Sequence, residues 1–237
     1  MYKPSTALVT GANKGIGRAI ARQLSEAGHI VWVGSRDAGR GRRAVEEIGG
    51  DSRLVVLDVT DDESIAAAAE QVGDLDILVN NAGIQAGSER ASEADLDSFR
   101  RTFETNLFGV VAVTDAFLPA LRRSARPRIV NVSSGTGSIG WMTGDNPRFA
   151  SGGWAAAYRT SKAALNALTV LYAQALADDG FKVNALAPGL RATDLAPSAA
   201  GGGDPAEAAA GAVRLALLPD DGPTGAFLSW DGTDMPW

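Results

Sequence analysis

Seven short apolar runs, each set off from the next by a longer stretch of polar or helical character, constrain this chain more than any other feature. They are "TALVTG" (6–11), "HIVWVGS" (29–35), "RLVVLDV" (53–59), "LDILVNNAG" (75–83), "RIVNVSS" (128–134), "FKVNALAPG" (181–189) and "GAFLSW" (225–230). Nearly every position is apolar or β-branched, whereas a strand with one wet face would alternate. Strands buried on both sides need cover on both sides. The segments at 15–28, 38–48, 62–72, 93–122, 154–179 and 204–218 supply it, because they are amphipathic or Ala-rich at helical spacing. The pattern predicts an α/β fold of Rossmann type: a doubly wound parallel sheet of about seven strands with helices on both faces. No change of composition marks a boundary, so residues 1–237 read as a single domain.

Composition removes several function classes. The net charge of −6 argues against nucleic acid as a partner, since phosphate binding needs a basic surface. The chain has no Cys, which excludes disulfides, thiolate metal sites and a Cys nucleophile. Its one His, His29, stands at the entry to an apolar run, where a structural role is expected, and no metal is expected. No apolar run approaches the roughly 18 residues of a membrane span. The first residues lack the apolar core of a leader peptide, so a cytoplasmic protein is expected.

Two stretches carry chemistry. In "TGANKGIG" (10–17) a strand gives way to a helix through Gly11, Gly15 and Gly17. Gly11 permits a tight turn off the strand. Gly15 and Gly17 lack Cβ, so a pyrophosphate can reach the backbone at the helix N-terminus. Asn13, Lys14 and Ile16 lie between these glycines and are assigned to cofactor contact with them. In "AAYRTSKAALNAL" (156–168), Tyr158 and Lys162 are four residues apart and share one helix face.

"TGANKGIG" (10–17), "LDVTD" (57–61), "NNAG" (80–83), "TNLFG" (105–109), "VNVSS" (130–134), "YRTSK" (158–162) and "APGLRATD" (187–194) come in one order at family-like spacings. Together they identify the chain as resembling the short-chain dehydrogenase/reductase family over essentially its whole length, with most likeness to the carbonyl-reductase branch. The resemblance implies roles residue by residue. Asn80, Ala82 and Gly83 line the adenosine side. Asp58 meets the adenine amine, with Val59 against the ring. Asn106 holds a relay water near the lysine. Ser134 is the catalytic serine, with Ser133 the fallback. Tyr158 is the acid/base and Lys162 its partner, and both contact the cofactor. Pro188, Gly189 and Thr193 frame the nicotinamide and diphosphate. Arg191 departs from the pattern, standing where Val or Ile is usual, and the sequence does not place its side chain.

Carbonyl reduction needs hydride at carbon and a proton at oxygen, and the cofactor supplies the hydride. An ammonium beside Tyr158 is expected to lower the phenol pKa toward neutrality. Ser134 is expected to donate to the carbonyl oxygen as charge builds there. NADP(H) is the expected cofactor. Asp37 follows Gly17 by 20 residues, as a ribose-binding acid might. The strand register instead puts Ser35 at the acid's position in NAD-dependent relatives, with Arg36 next, as in NADP-dependent ones. Lys14 and Arg40 add positive charge nearby.

The substrate is expected to be a small carbonyl compound or alcohol. Its wall is assigned to an insertion at about 135–153 and to flanking residues, with Trp141, Met142, Trp154 and Leu190 as contacts and Phe149 and Leu195 nearby. The insertion should also disfavour the usual tetramer, leaving monomer first and dimer second. Alternative readings are an NAD-dependent alcohol dehydrogenase, another reaction on the same frame, and a catalytically silent cofactor-binding sensor.

Overall fold

The computed structural model describes residues 4–143, 152–195 and 201–237. Its strands are β1 (Thr6–Val9), β2 (Ile30–Ser35), β3 (Ser52–Val56), β4 (Ile77–Asn80), β5 (Arg128–Val132), β6 (Lys182–Ala187) and β7 (Phe227–Ser229). They form one sheet in the order β3-β2-β1-β4-β5-β6-β7, and every neighbouring pair is parallel. This is the Rossmann-type sheet that the apolar runs predict.

Side chains alternate across the sheet and divide the core in two. Ala7, Val9, Ile77, Val79, Val130 and Val132 face one side, where they meet helices α1 (Gly15–Glu26), α2 (Ala38–Ile48) and α8 (Pro205–Ala216). Leu8, Leu78, Ile129 and Val183 face the other. There they meet α3 (Asp62–Val72), α5 (Gly109–Leu121) and the end of α7 (Ala156–Ala175). Strand order reverses between β1 and β4, so the loops leaving these two strands diverge and open a crevice at their C-terminal ends. At the far edge the chain returns antiparallel along β7: Ser229 N donates to Thr233 O and Met235 N to Phe227 O.

Two segments differ from the sequence reading. The helix expected over 93–122 is three pieces: α4 (Leu96–Phe103), a π-helical turn (Glu104–Phe108) and α5. The widened turn holds Asn106, whose side chain binds both backbone groups of Ile84 and so competes with regular helix packing. Part of the insertion is also regular, as a 3₁₀ turn (Gly135–Gly137) and the short α6 (Ile139–Thr143). Phe149 lies outside the described residues.

A buried amide–hydroxyl ladder ties the sheet to its helices. Asn80 Nδ2 donates to Asn131 Oδ1 (2.9 Å) and Thr114 Oγ1 (3.1 Å), and Asn131 Nδ2 donates to Thr169 Oγ1 (2.9 Å). The ladder joins β4, β5, α5 and α7. Asn131→Ala removes two of its bonds and leaves a small void, and should lower the unfolding free energy by about 2 kcal/mol. Urea denaturation at neutral pH checks this; an unchanged midpoint would mean that the ladder adds nothing to stability.

Candidate active site

The crevice is a cleft of about 420 Å³. One wall is the glycine turn after β1. Gly11 (φ +62°) and Gly15 (φ +56°) are left-handed, a conformation that costs a side-chain-bearing residue energy. Gly17 has no room for more: a Cβ there would lie 2.3 Å from Asn81 Nδ2 and 2.7 Å from Gly11 O. Helices α2, α3, α4 and α8 begin on the aspartates Asp37, Asp61, Asp95 and Asp204, whose carboxylates take up first-turn N–H groups. Helix α1 begins on Lys14, with no side-chain cap, at the wall of the cleft. Its free N–H groups suit an anion.

Of the residues assigned to cofactor contact, Gly11, Asn13, Lys14, Gly15, Ile16, Gly17, Arg36, Asp58, Val59, Ala82, Gly83, Tyr158, Lys162, Pro188 and Thr193 all line the cleft. Asn80 does not. It is buried in the ladder, and the next residue, Asn81, takes the cleft position, with its Nδ2 donating to Thr10 O (2.8 Å). Both asparagines of "NNAG" were visible, but which one faces the cleft follows from the pleat at the end of β4. Gly189 is also outside the lining. It turns the chain at φ +69° beneath the ring of Trp230. Leu57, Thr60, Ile84, Gln85, Thr105, Asp194 and Leu195 line the cleft without having been assigned, apart from Leu195 as a neighbour of the substrate contacts. Leu57, Thr60, Thr105 and Asp194 lie inside the quoted motifs, so the signal was present; Ile84 and Gln85 follow one directly.

At the inner end, Tyr158 and Lys162 lie on one face of α7, with Lys162 Nζ 5.8 Å from the phenol ring centre. Lys162 is 4% exposed, and its Nζ donates to Val132 O (2.8 Å). Gly83 sits between Lys162 and Asn106: a Cβ there would be 3.6 Å from Nζ and 3.4 Å from Asn106 Oδ1. Asn106 is fully buried, and its Nδ2 also donates to Ser161 Oγ (3.0 Å). Ser161 in turn donates to Tyr158 O (2.7 Å), so it links the π turn to the tyrosine's own helical turn.

The two serines separate cleanly. The Ser133 hydroxyl, although at the cleft wall, is committed to Asn166 Oδ1 (2.5 Å) in the core. The Ser134 hydroxyl lies near the Tyr158 phenol and is 2.8 Å from Thr136 Oγ1. Ser133 thus lines the cleft with its hydroxyl spent in the core, whereas Ser134 is outside the lining with its hydroxyl on Thr136.

The tyrosine's ionisation runs opposite to expectation. Burial pushes the Tyr158 phenol up to about 12, only partly countered by the bond from Ser134. Burial also drives Lys162 down to about 8. Desolvation is the leading cause of both shifts. Near neutral pH Tyr158 is thus a protonated phenol, a donor in waiting.

None of the four substrate assignments lines this cleft. Trp154 is 51% exposed, outside the cleft, with the Arg90 guanidinium 4.7 Å over its ring. Leu190 is 61% exposed. Trp141 packs on the small cluster of Ala185, Ala187, Phe227 and Met235, against Gly135, and Met142 follows it on α6. Trp141 thus goes into packing, and Trp154 sits beside a clip on the 88–91 segment, where Ala91 N donates to Gly153 O.

Comparison with known proteins agrees with this geometry. A family model described as short chain dehydrogenase matches residues 5–201. The (−)-isopiperitenone reductase of Mentha piperita is 36% identical over 95% of this chain and 96% of its own. Among solved structures, NADPH-bound carbonyl reductase from chicken fatty liver superposes over the whole of both chains with a TM-score of 0.84 at 31% identity. The 3-ketoacyl-(acyl-carrier-protein) reductase of Brucella melitensis, complexed with NADH, gives 0.83 at 26% identity, over 95% of this chain and 96% of that one.

The buried lysine has a cost that can be measured. Below about pH 8 the folded chain must carry a buried ammonium. Between about 8 and 10.5 only the unfolded chain keeps that proton, so this group's contribution makes stability rise with pH across the window. Lys162→Met should therefore be more stable than the parent at pH 7, by on the order of 2 kcal/mol once the lost bond to Val132 O is counted. The advantage should shrink toward pH 10.5. Paired denaturation curves at pH 7 and pH 10 test this; a variant less stable at pH 7 would contradict it.

Proposed function

The chain belongs to the short-chain dehydrogenase family and is an oxidoreductase; from that premise we propose that it interconverts a small ketone or aldehyde and its alcohol using NADP(H), with Tyr158 as general acid/base. The observation that carries the reading is the phenol of Tyr158, one turn from Lys162 on the same helix face, at the inner end of a cleft walled by glycines.

The chain's own residues fit a dinucleotide. The left-handed glycines and the uncapped start of α1 suit a pyrophosphate, and Asp58 and Val59 line the far end. When bound, the nicotinamide supplies hydride to the carbonyl carbon. Tyr158 gives its proton to the carbonyl oxygen. Ser134 donates a hydrogen bond to the same oxygen as negative charge grows there, with its hydroxyl held in place by Thr136. Lys162 keeps a positive charge one turn away, which favours the phenolate left behind.

Three features support NADP(H) over NAD(H). Ser35 is buried and its hydroxyl is spent on Asp37 O. The Asp37 carboxylate caps α2 through Arg40 N (2.8 Å). Arg36 is exposed at the cleft wall and, among the described residues, pairs with no carboxylate. A guanidinium there suits a phosphate on the ribose, and the nearest acids are occupied.

Two measurements test the reading. Tyr158→Phe keeps the ring and loses only the proton donor, so kcat should fall about 10²- to 10⁴-fold while cofactor affinity changes little. Retention of more than about a tenth of the activity would remove Tyr158 from the chemistry. Arg36→Ala should weaken NADPH binding about tenfold, the loss of one charge-assisted contact, and leave NADH binding unaltered. An equal effect on both cofactors, in fluorescence titrations, would refute the preference.

A further inference from the structure

Arg191 is the one residue of "APGLRATD" that breaks the family pattern, and its surroundings are unusual for a loop arginine. It is 6% exposed. Its guanidinium stacks on Trp230, 4.3 Å from the ring centre. Nε donates to Pro188 O (2.7 Å), and Nη1 pairs with Glu207 Oε2 (2.6 Å) in the first turn of α8. The backbone is tied as well: Gly203 N donates to Leu190 O (3.0 Å) and Ala192 N to Gly203 O (2.9 Å). The neighbours are small because they must be. A Cβ on Gly203 would lie 2.3 Å from Nη1, and one on Gly202 would lie 2.5 Å from the Arg191 carbonyl carbon.

One side chain thus joins three places: the turn at Pro188, the start of α8 and the ring that follows β7. The stretch it fixes carries Pro188, Thr193 and Asp194 to the cleft wall. Thr193 abuts the glycine turn, its Cγ2 3.3 Å from where a Gly15 Cβ would stand, and Asp194 pairs with Lys14 at 3.1 Å. We propose that Arg191 is a positioning residue: it clamps the Pro188–Asp194 stretch against the glycine turn and so sets how tightly the dinucleotide is held. It does not line the cleft itself. The proposal rests on the cofactor reading above. A Val or Ile at this position could cover Trp230 but could bond neither Pro188 O nor Glu207.

Arg191→Met keeps an unbranched stem on Trp230 and loses all three nitrogens, while Arg191→Lys and Glu207→Gln are milder. Two readouts are needed on the full chain. Amide hydrogen exchange of the free protein reports on the clamp without any cofactor: the Ala192 and Gly203 amides should exchange at least about tenfold faster in Arg191→Met, with Arg191→Lys intermediate. Fluorescence titration and steady-state kinetics report on its purpose. The NADPH Kd and KM should rise about tenfold, while kcat at saturating NADPH falls no more than about threefold. Unchanged exchange at both amides in the variants overturns the clamp. Faster exchange with an unaltered NADPH Kd shows a clamp that does not serve the dinucleotide, and overturns the positioning role. If the parent chain binds neither NADPH nor NADH, the cofactor reading itself fails and takes the positioning role with it; the exchange data then still report the clamp separately. Should Arg191→Met fail to fold, Glu207→Gln decides by the same readouts, with an expected loss of about threefold in affinity.

Discussion

The whole cleft depends on how closely the chain leaving β1 approaches the chain leaving β4. Thr10, buried at the end of β1, accepts the N–H groups of both Asn81 and Ala82 on its hydroxyl, each at 2.9 Å. Asn81 replies with its side-chain amide to Thr10 O and Gly11 O. This lock brings the two loops together, and only glycine fits inside it: a Cβ on Gly11 would sit 3.0 Å from Ala82 Cα. The turn is then aimed along the cleft, and α1 starts at its wall. Without the lock, the reversal of strand order would leave an open groove with no defined floor.

The inner end is built at some expense of stability. Lys162 is withdrawn from water and Tyr158 partly so, and each is shifted away from its charged form. A surface that served folding alone would place neither there. That environment keeps the phenol protonated near neutral pH. The lysine's ammonium is held on Val132 O, 5.8 Å from the centre of the tyrosine ring.

Much of this was legible in the residues. Continuous apolar runs can only be strands covered on both faces, and the glycine spacing allows few local conformations. The Tyr–Lys spacing on a helix also fixes a shared face. These are short-range constraints, set by sterics and periodicity within a few positions. Where the reading failed, the deciding contact was distant. The single helix expected across Asn106 gave way to a π turn because Ile84, 22 residues earlier, binds its side chain. Asn80 and Asn81 are chemically alike, and only the pleat sends one to the core and the other to the cleft. Trp154 was read as a pocket wall from its place between the serine and the tyrosine, but Arg90 covers its ring outside the cleft.

By itself, then, the sequence determined the layer order, the glycine turn and the pair Tyr158 and Lys162, since each depends on neighbours close along the chain. Only the tertiary structure decided where each serine's hydroxyl goes, how burial shifts the two ionisable groups, and where Arg191 lies. Those outcomes depend on desolvation and on partners far apart in sequence, such as Ser133 with Asn166 and Arg191 with Glu207 and Trp230. Such pairings leave no periodic trace along the chain, because they exist only once the sheet has brought its loops to one end.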